Sequence, residues 1–420
     1  MSILYLSNNI NNLLPADLLE FLKKVKTQAS KRGERLYLVG GAVRDLLLGN
    51  KSYDLDLAVE GDAISLAQEL TDSEISKITA HDRFKTAKIY WKDYSIDIAT
   101  TRRESYSCPG ALPRVEPGNI ADDLFRRDFT INAMAIDLSS DNYGNLIDYY
   151  GGFSDLKDGL VRFLHTGSFR DDATRIWRAL RYEQRLGFEL EYNTKRMLKQ
   201  NITMLKTISG SRIRYELECI FKEDQPEKVF LRAQELSVIR SINPALKGDA
   251  WLRDRFIRAR KVTYPKSPPA IVYLSLLCYR LNNYEQEDII SCLKLNKVEA
   301  KVIRDTSRLI EELDRLKGIR LKPSQIYTIL SGYSTDSLVA IQAAEKSAAI
   351  QKSINLYMSK LSVIKPIIKG SDLIKVGLSQ GPKVQCVLNK LLYARLDGQV
   401  KTKDDELRLV YKWLATSQSS

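Results

Sequence analysis

Histidine is almost missing from this sequence: His81 and His165 are the only two in 420 residues. Multi-histidine metal sites and tandem-histidine phosphohydrolase motifs cannot be built from them. Cysteine is scarce too, and Cys108, Cys219, Cys278, Cys292 and Cys386 lie far apart with no C-x-x-C among them. That spacing argues against zinc ribbons and a disulfide scaffold, and suits thiols kept reduced in a cytosol. No stretch approaches the roughly 18 uninterrupted apolar residues that a membrane span needs, and residues 1–12 lack the basic region and apolar core of a signal peptide. These absences predict a cytoplasmic protein with no membrane partner. What is present is a 44% hydrophobic share, enough for real cores and incompatible with a disordered chain, at a length with room for two to four domains. Against 52 Asp and Glu stand 65 Lys and Arg, a formal charge of +13. Such an excess suits a polyanion, either nucleic acid or an anionic membrane surface.

The pattern changes along the chain. Over roughly the first 150 residues, short β-like runs alternate with helices. Residues 36–39 form a compact apolar run ending in Gly40-Gly41, Leu55 and Leu57 alternate with Asp54 and Asp56, and residues 87–91 and 95–99 also read as strands. Residues 42–48 and 63–70 read as helices. From Phe169 onward apolar residues recur at helical spacing, and Pro and Gly cluster at breaks such as Tyr264-Pro265-Lys266-Ser267-Pro268-Pro269. The expectation is an α/β head followed by a long all-helical body.

The chemistry concentrates in Leu38-Val39-Gly40-Gly41-Ala42-Val43-Arg44-Asp45 and the Asp54-Leu55-Asp56 that follows. Strand alternation sends Asp54 and Asp56 to one face, where two carboxylates can share divalent cations. Mg2+ suits such hard oxygen ligands and also takes substrate phosphates. The Gly40-Gly41 turn lets backbone amides approach a triphosphate, and Arg44 can add charge-assisted hydrogen bonds.

These two motifs resemble the nucleotidyltransferase palm shared with polymerase beta. Arg126-Arg127-Asp128-Phe129-Thr130-Ile131-Asn132-Ala133-Met134-Ala135 resembles the second motif of the class II tRNA nucleotidyltransferases and bacterial poly(A) polymerases. Asp148, Gly151-Gly152 and Asp155-Leu156 resemble the third, Asp171-Asp172-Ala173-Thr174-Arg175 the fourth, and Ser209-Gly210-Ser211-Arg212-Ile213-Arg214-Tyr215-Glu216-Leu217 the fifth. Gly370-Ser371-Asp372-Leu373, Gly381-Pro382-Lys383 and Ala394-Arg395-Leu396-Asp397-Gly398 are similar to the carboxy-terminal region of that family. The resemblance implies that Arg127 contacts the nucleotide and that Asp128 anchors its segment. It also implies that the loop within residues 101–123 is flexible and linked to adding a final A. One departure is Asp171, where the family usually has Glu.

The fourth motif is also open to a chemical reading. On a helix, Arg175, Arg178, Arg181 and Arg185 fall within about one third of a turn, with Asp172 about one turn before Arg175. Ile176, Trp177 and Leu180 take another face and can pack. Asp172 offers an acceptor and Arg175 a donor. Cytosine and adenine present an amino donor beside a ring-nitrogen acceptor and match this pair, whereas uracil and guanine reverse both polarities and leave polar groups unpaired.

The expectations are therefore an α+β protein: a polymerase-beta-like nucleotidyltransferase head at 1–165, a base-selecting helical neck at 166–245, and a helical, tRNA-binding body and tail at 246–420. Asp54 and Asp56 are the expected metal ligands. Asp97 is a candidate third carboxylate acting as base toward a 3′-hydroxyl, with a structural role as its alternative. Gly40, Gly41, Arg44, Arg127, Asp172, Arg175, Arg178 and Arg181 are the expected nucleotide contacts. The expected activity is template-independent addition of C and/or A to tRNA 3′ ends from CTP and ATP. The alternatives are a poly(A) polymerase and a non-catalytic RNA-binding protein.

Overall fold

The computed structural model describes every residue except 1–4, 52–54, 71–73, 319–320 and 418–420. Asp54 therefore lies outside the described residues. The fold is α+β, and the chain divides into two compact units, Met1–Ser241 and Ile242–Ser420.

The first unit is built on β1 (Arg35–Val39), β2 (Leu55–Glu60), β3 (Ile75–His81), β4 (Thr86–Trp91), β5 (Tyr94–Thr100), β6 (Arg102–Ser105), β7 (Arg114–Pro117), β8 (Ala135–Asp137) and β9 (Leu146–Ile147). Seven of them form one sheet in the order β3-β4-β5-β2-β1-β8-β9. Strand β1 lies inside that sheet and Leu36, Tyr37, Leu38 and Val39 are all buried, so it reads as a continuous apolar run rather than an alternating one. Strands β2 and β5 pair in parallel with Asp56 opposite Asp97. In-register residues of parallel neighbours point to the same face, so the two carboxylates share one side of the sheet. Leu55 and Leu57 face the other side and are buried.

Between β1 and β2 the chain turns at Gly40 into the helix Gly41–Leu47, one residue earlier at each end than the sequence suggests. The helix Ala63–Glu69 starts where the Asp62 side chain accepts from Ile64 N and Ser65 N. Two elements escape the sequence pattern. The helix Ala16–Lys31 packs Phe21 on Trp91, with ring centroids 5.0 Å apart. Strand β3 sits at the sheet edge and is half exposed, so it shows no clean alternation. Within residues 101–123, where a flexible loop is expected, β6 and β7 pair as a hairpin around residues 106–113, and the helix Ile120–Phe125 follows with a capping box between Asn119 and Asp122.

Beyond the sheet, the helix Thr174–Leu186 ends at Gly187 in the left-handed conformation. Its Ile176, Trp177 and Leu180 are fully buried, and Trp177 meets Phe230 of the helix Pro226–Glu235 at 6.3 Å. The helix Gly210–Phe221 packs alongside. Helical dominance after Phe169 is not complete, because β11 (Glu189–Leu190) pairs in parallel with β10 (Leu160–Val161).

The second unit is helical throughout its described elements. One core gathers Leu309, Leu330, Ile341, Ile350 and Ile354, and another gathers Ile368, Leu373, Leu391 and Val410. Buried Glu406 accepts from the amides of Ile367 and Ile368 and pairs with Arg395, tying the last helix to the chain before it. Among the described residues no helix is long and apolar enough to cross a membrane.

Candidate active site

The turn after β1 shapes one wall of a cleft of about 830 Å³ in the first unit. Gly40 has φ +70°, and a Cβ there would stand 2.8 Å from Arg127 Nη1 and 3.7 Å from Asp56 Oδ2. Only glycine leaves that space open. Gly41, Arg44, Asp56, Arg127, Asp172, Arg175 and Arg178 line the same cleft as Gly40. Asp97 and Arg181 are not among the described lining residues. Asp97 is half exposed and takes Lys88 Nζ at 3.2 Å.

Most of the arginines are held rather than solvated. Arg44 is buried, donates from Nε to Asp45 Oδ1 at 2.9 Å and from Nη1 to Asn132 Oδ1 at 2.6 Å, and lies 5.4 Å from the Tyr182 ring. Fully buried Asp123 accepts from Arg126 through Oδ1 and from Arg127 Nη2 through Oδ2 at 2.9 Å. Burial pushes the Asp123 carboxyl up, but Arg127 and Arg126 outweigh it and hold it below the usual range.

Asp172 is extended, at the break between the short helix Ser168–Asp171 and the helix Thr174–Leu186. Its Oδ1 accepts from Thr174 N at 2.9 Å, Thr174 Oγ1 at 2.6 Å and Arg212 Nη2 at 2.8 Å. Arg175 is buried and anchored by Nη1 to Ser168 Oγ and by Nη2 to the Arg126 carbonyl, both at 2.7 Å. Arg178 donates from Nε to Asp128 Oδ2 at 2.8 Å. Arg181 sits about 120° around the helix from Arg175 at 3.6 residues per turn. It therefore turns to the helix Gly210–Phe221 and its end, 4.0 Å from Glu216 Oε2 and 3.9 Å from Glu223.

The comparisons agree along the chain. A poly(A) polymerase head-domain model matches residues 36–162, a model for the RNA- and SrmB-binding site of polymerase A matches 187–249, and a tRNA nucleotidyltransferase domain 2 model matches 270–410. A solved structure of the Thermotoga maritima CCA-adding enzyme complexed with tRNA is 31% identical and covers 99% of this chain and all of its own, with a TM-score of 0.73. The chain belongs to the tRNA nucleotidyltransferase and poly(A) polymerase family. The A-adding tRNA nucleotidyltransferase of Geobacter sulfurreducens is 33% identical over 96% of this chain, which spans only 48% of that relative's length. That of Halalkalibacterium halodurans is 29% identical and is spanned over 98% of its length.

Nucleotidyltransferases of this family generally use a divalent metal, and the donor set here fits one. Asp56 offers hard carboxylate oxygens beside the open space at Gly40, near the start of β2. Among the described residues no three metal-ligating side chains cluster. The nucleotidyltransferase cleft also has walls the sequence reasoning missed. Glu104 and Tyr106 come from the hairpin, and Arg212 and Glu216 from the helix Gly210–Phe221. For the last two a signal existed, since positions four apart share one helix face. Burial pushes the Glu216 carboxyl up, against the pull of Arg178 and Arg181.

Asp128 gives the site a pH signature. Burial raises its carboxyl, but Arg178 and the bond from Asn132 outweigh burial and hold it at about 2, against 3.8 unperturbed. A depressed folded value gives stability that is complete above the unfolded value and is lost as pH falls through the folded one. We expect about 2 kcal/mol to disappear between roughly pH 4 and pH 2. Unfolding midpoints of the parent and Asp128→Asn across that range check it: the parent should fall more steeply, and parallel curves would refute the assignment.

Proposed function

We propose that this nucleotidyltransferase adds C and/or A to the 3′ end of tRNA without a nucleic-acid template, using CTP and ATP and releasing pyrophosphate. The observation that carries this reading is the shared cleft, where Gly40, Asp56 and Arg127 stand with Asp172 and Arg175. Asp54 and Asp56 would hold Mg2+, which would supply positive charge for in-line displacement at the α-phosphorus by the 3′-hydroxyl.

The chain's own groups do the rest. The side-chain-free turn at Gly40-Gly41 admits a phosphate close to the backbone, and the Arg127 and Arg44 guanidiniums supply positive charge around it. A guanidinium has five N–H donors, so the two anchors of Arg175 fix its plane without exhausting it. Asp172 and Arg175 then meet the amino group and ring nitrogen of cytosine or adenine. Uracil and guanine would leave both groups facing like polarity. Arg178, held by Asp128, presents a further fixed donor to the bound nucleotide. If Asp97 serves as base toward the hydroxyl, it does so from the strand beside Asp56. We place Arg181 behind the contact residues, as their support, and the head, neck and body boundaries at 165 and 245. The scattered free cysteines suit the cytoplasm. The relatives named as A-adding favour A alone as the finer specificity.

The test is incubation of purified protein with tRNA transcripts ending before CCA, after C and after CC, with CTP and ATP given separately and together. We expect growth that stops at CCA. Long A tails on any RNA would mean a poly(A) polymerase, the second reading that the head-domain match brings. RNA binding without incorporation would mean a non-catalytic binder.

A further inference from the structure

We propose that Arg212 is a positioning residue for base selection, one that fixes the Asp172 carboxylate so that a single oxygen, Oδ2, faces the incoming base. The inference deepens the proposed function and rests on it.

Asp172 Oδ1 receives three donors at once: Thr174 N at 2.9 Å, Thr174 Oγ1 at 2.6 Å and Arg212 Nη2 at 2.8 Å. That exhausts the lone pairs of one carboxylate oxygen. Among the described residues no hydrogen bond reaches Oδ2. The two contacts from Thr174 are local, come from uncharged donors, and sit at the first residue of the helix Thr174–Leu186. The third joins two charged groups in an ion pair and comes from a residue 40 positions away. Arg212 is itself held at its other end, where Nη1 donates to the Gly110 carbonyl at 3.4 Å. Both Arg212 and Asp172 line the cleft and are about three-quarters covered.

A selector built on one acceptor discriminates only if that acceptor cannot turn away. When a guanine or uracil carbonyl takes the place of the amino donor, it meets Oδ2 lone pair against lone pair, and the misfit is felt only while the carboxylate is pinned. Without Arg212 the Asp172 side chain can rotate from an ill-matched base, and the penalty drains away. Correct nucleotides lose less, because their amino group draws Oδ2 back into place.

Arg212→Met removes the charge while keeping an unbranched side chain of similar bulk. In the purified protein we expect the ratio of kcat/KM for ATP to that for GTP to fall 10- to 100-fold, with kcat for ATP falling less than threefold. The preference for ATP over GTP in equilibrium binding of fluorescent nucleotide analogues should fall with it. Arg212→Lys, which keeps the charge but not the second arm, should recover part of the ratio. A Met variant that loses rate while keeping both ratios would overturn the proposal and leave Arg212 a structural residue. Loss of the proposed function itself would show in the unaltered protein, as failure to extend any tRNA transcript, and the proposal would fall with it.

Discussion

Asp56→Asn is expected to reduce nucleotide addition about 10³-fold or more while leaving the fold and the affinity for tRNA unchanged. The side chain is nearly isosteric, and its neighbours Leu55 and Leu57, not Asp56, carry the core packing of β2. What the amide lacks is the negative charge that a divalent cation needs. Charge stabilisation by a bound metal is worth several kcal/mol, and about 4 kcal/mol corresponds to 10³ in rate. Single-nucleotide incorporation measured beside thermal midpoint and tRNA binding separates the effects. Asp97→Asn is the informative contrast. It faces the same side of the sheet but is half exposed and paired with Lys88. A 10²- to 10⁴-fold loss would make it the general base, and a change within a few-fold would make it a strand-surface residue. Activity retained in Asp56→Asn would remove the metal-binding role from this strand altogether.

How far the sequence already spoke depends on the kind of signal. The strands that carry the site were legible because burial of a central strand forces a compact apolar run, as at residues 36–39, and because Gly40-Gly41 punctuates its end. The Gly151-Gly152 turn was visible as a motif, and its two glycines have different reasons: Gly151 has φ +74°, while a Cβ on Gly152 would lie 2.2 Å from the Thr130 carbonyl. Edge strand β3 and the hairpin β6–β7 were not legible, since half-exposed strands lose the alternation on which strand reading depends. Helical periodicity put Arg175, Arg178, Arg181 and Arg185 on one arc. It could not tell that Arg175 and Arg181 are buried and that Arg181 faces a neighbouring helix, because the position of that helix is a tertiary fact. For the same reason Arg212 and Asp172, 40 residues apart, gave no sign of their bond.

Asp123→Asn is expected to cost the first unit about 3–5 kcal/mol, the typical loss when one member of a buried ion pair is removed. Asp123 is fully buried, with Arg126 on Oδ1 at 2.7 Å and Arg127 on Oδ2 at 2.9 Å. An amide keeps an acceptor for one of them and leaves the other guanidinium short of a counter-charge in a covered site. Glu104, 3.3 Å from Arg126, compensates on that side, so the deficit falls mainly on Arg127. Since Arg127 Nη1 abuts the Gly40 turn, the same substitution should lower nucleotide addition at temperatures where the protein is still folded. The thermal midpoint should drop by roughly 10 °C at neutral pH, at about 2–4 °C per kcal/mol for a unit of this size. The pH dependence has a defined sign. The folded Asp123 carboxyl lies below its ordinary value, so its contribution is complete above roughly pH 4 and is lost as pH falls through the folded value. Parent and variant midpoints should therefore converge as the solution is acidified. A constant gap down to pH 2 would show that the loss comes from packing and not from the charge that binds Arg126 and Arg127 together.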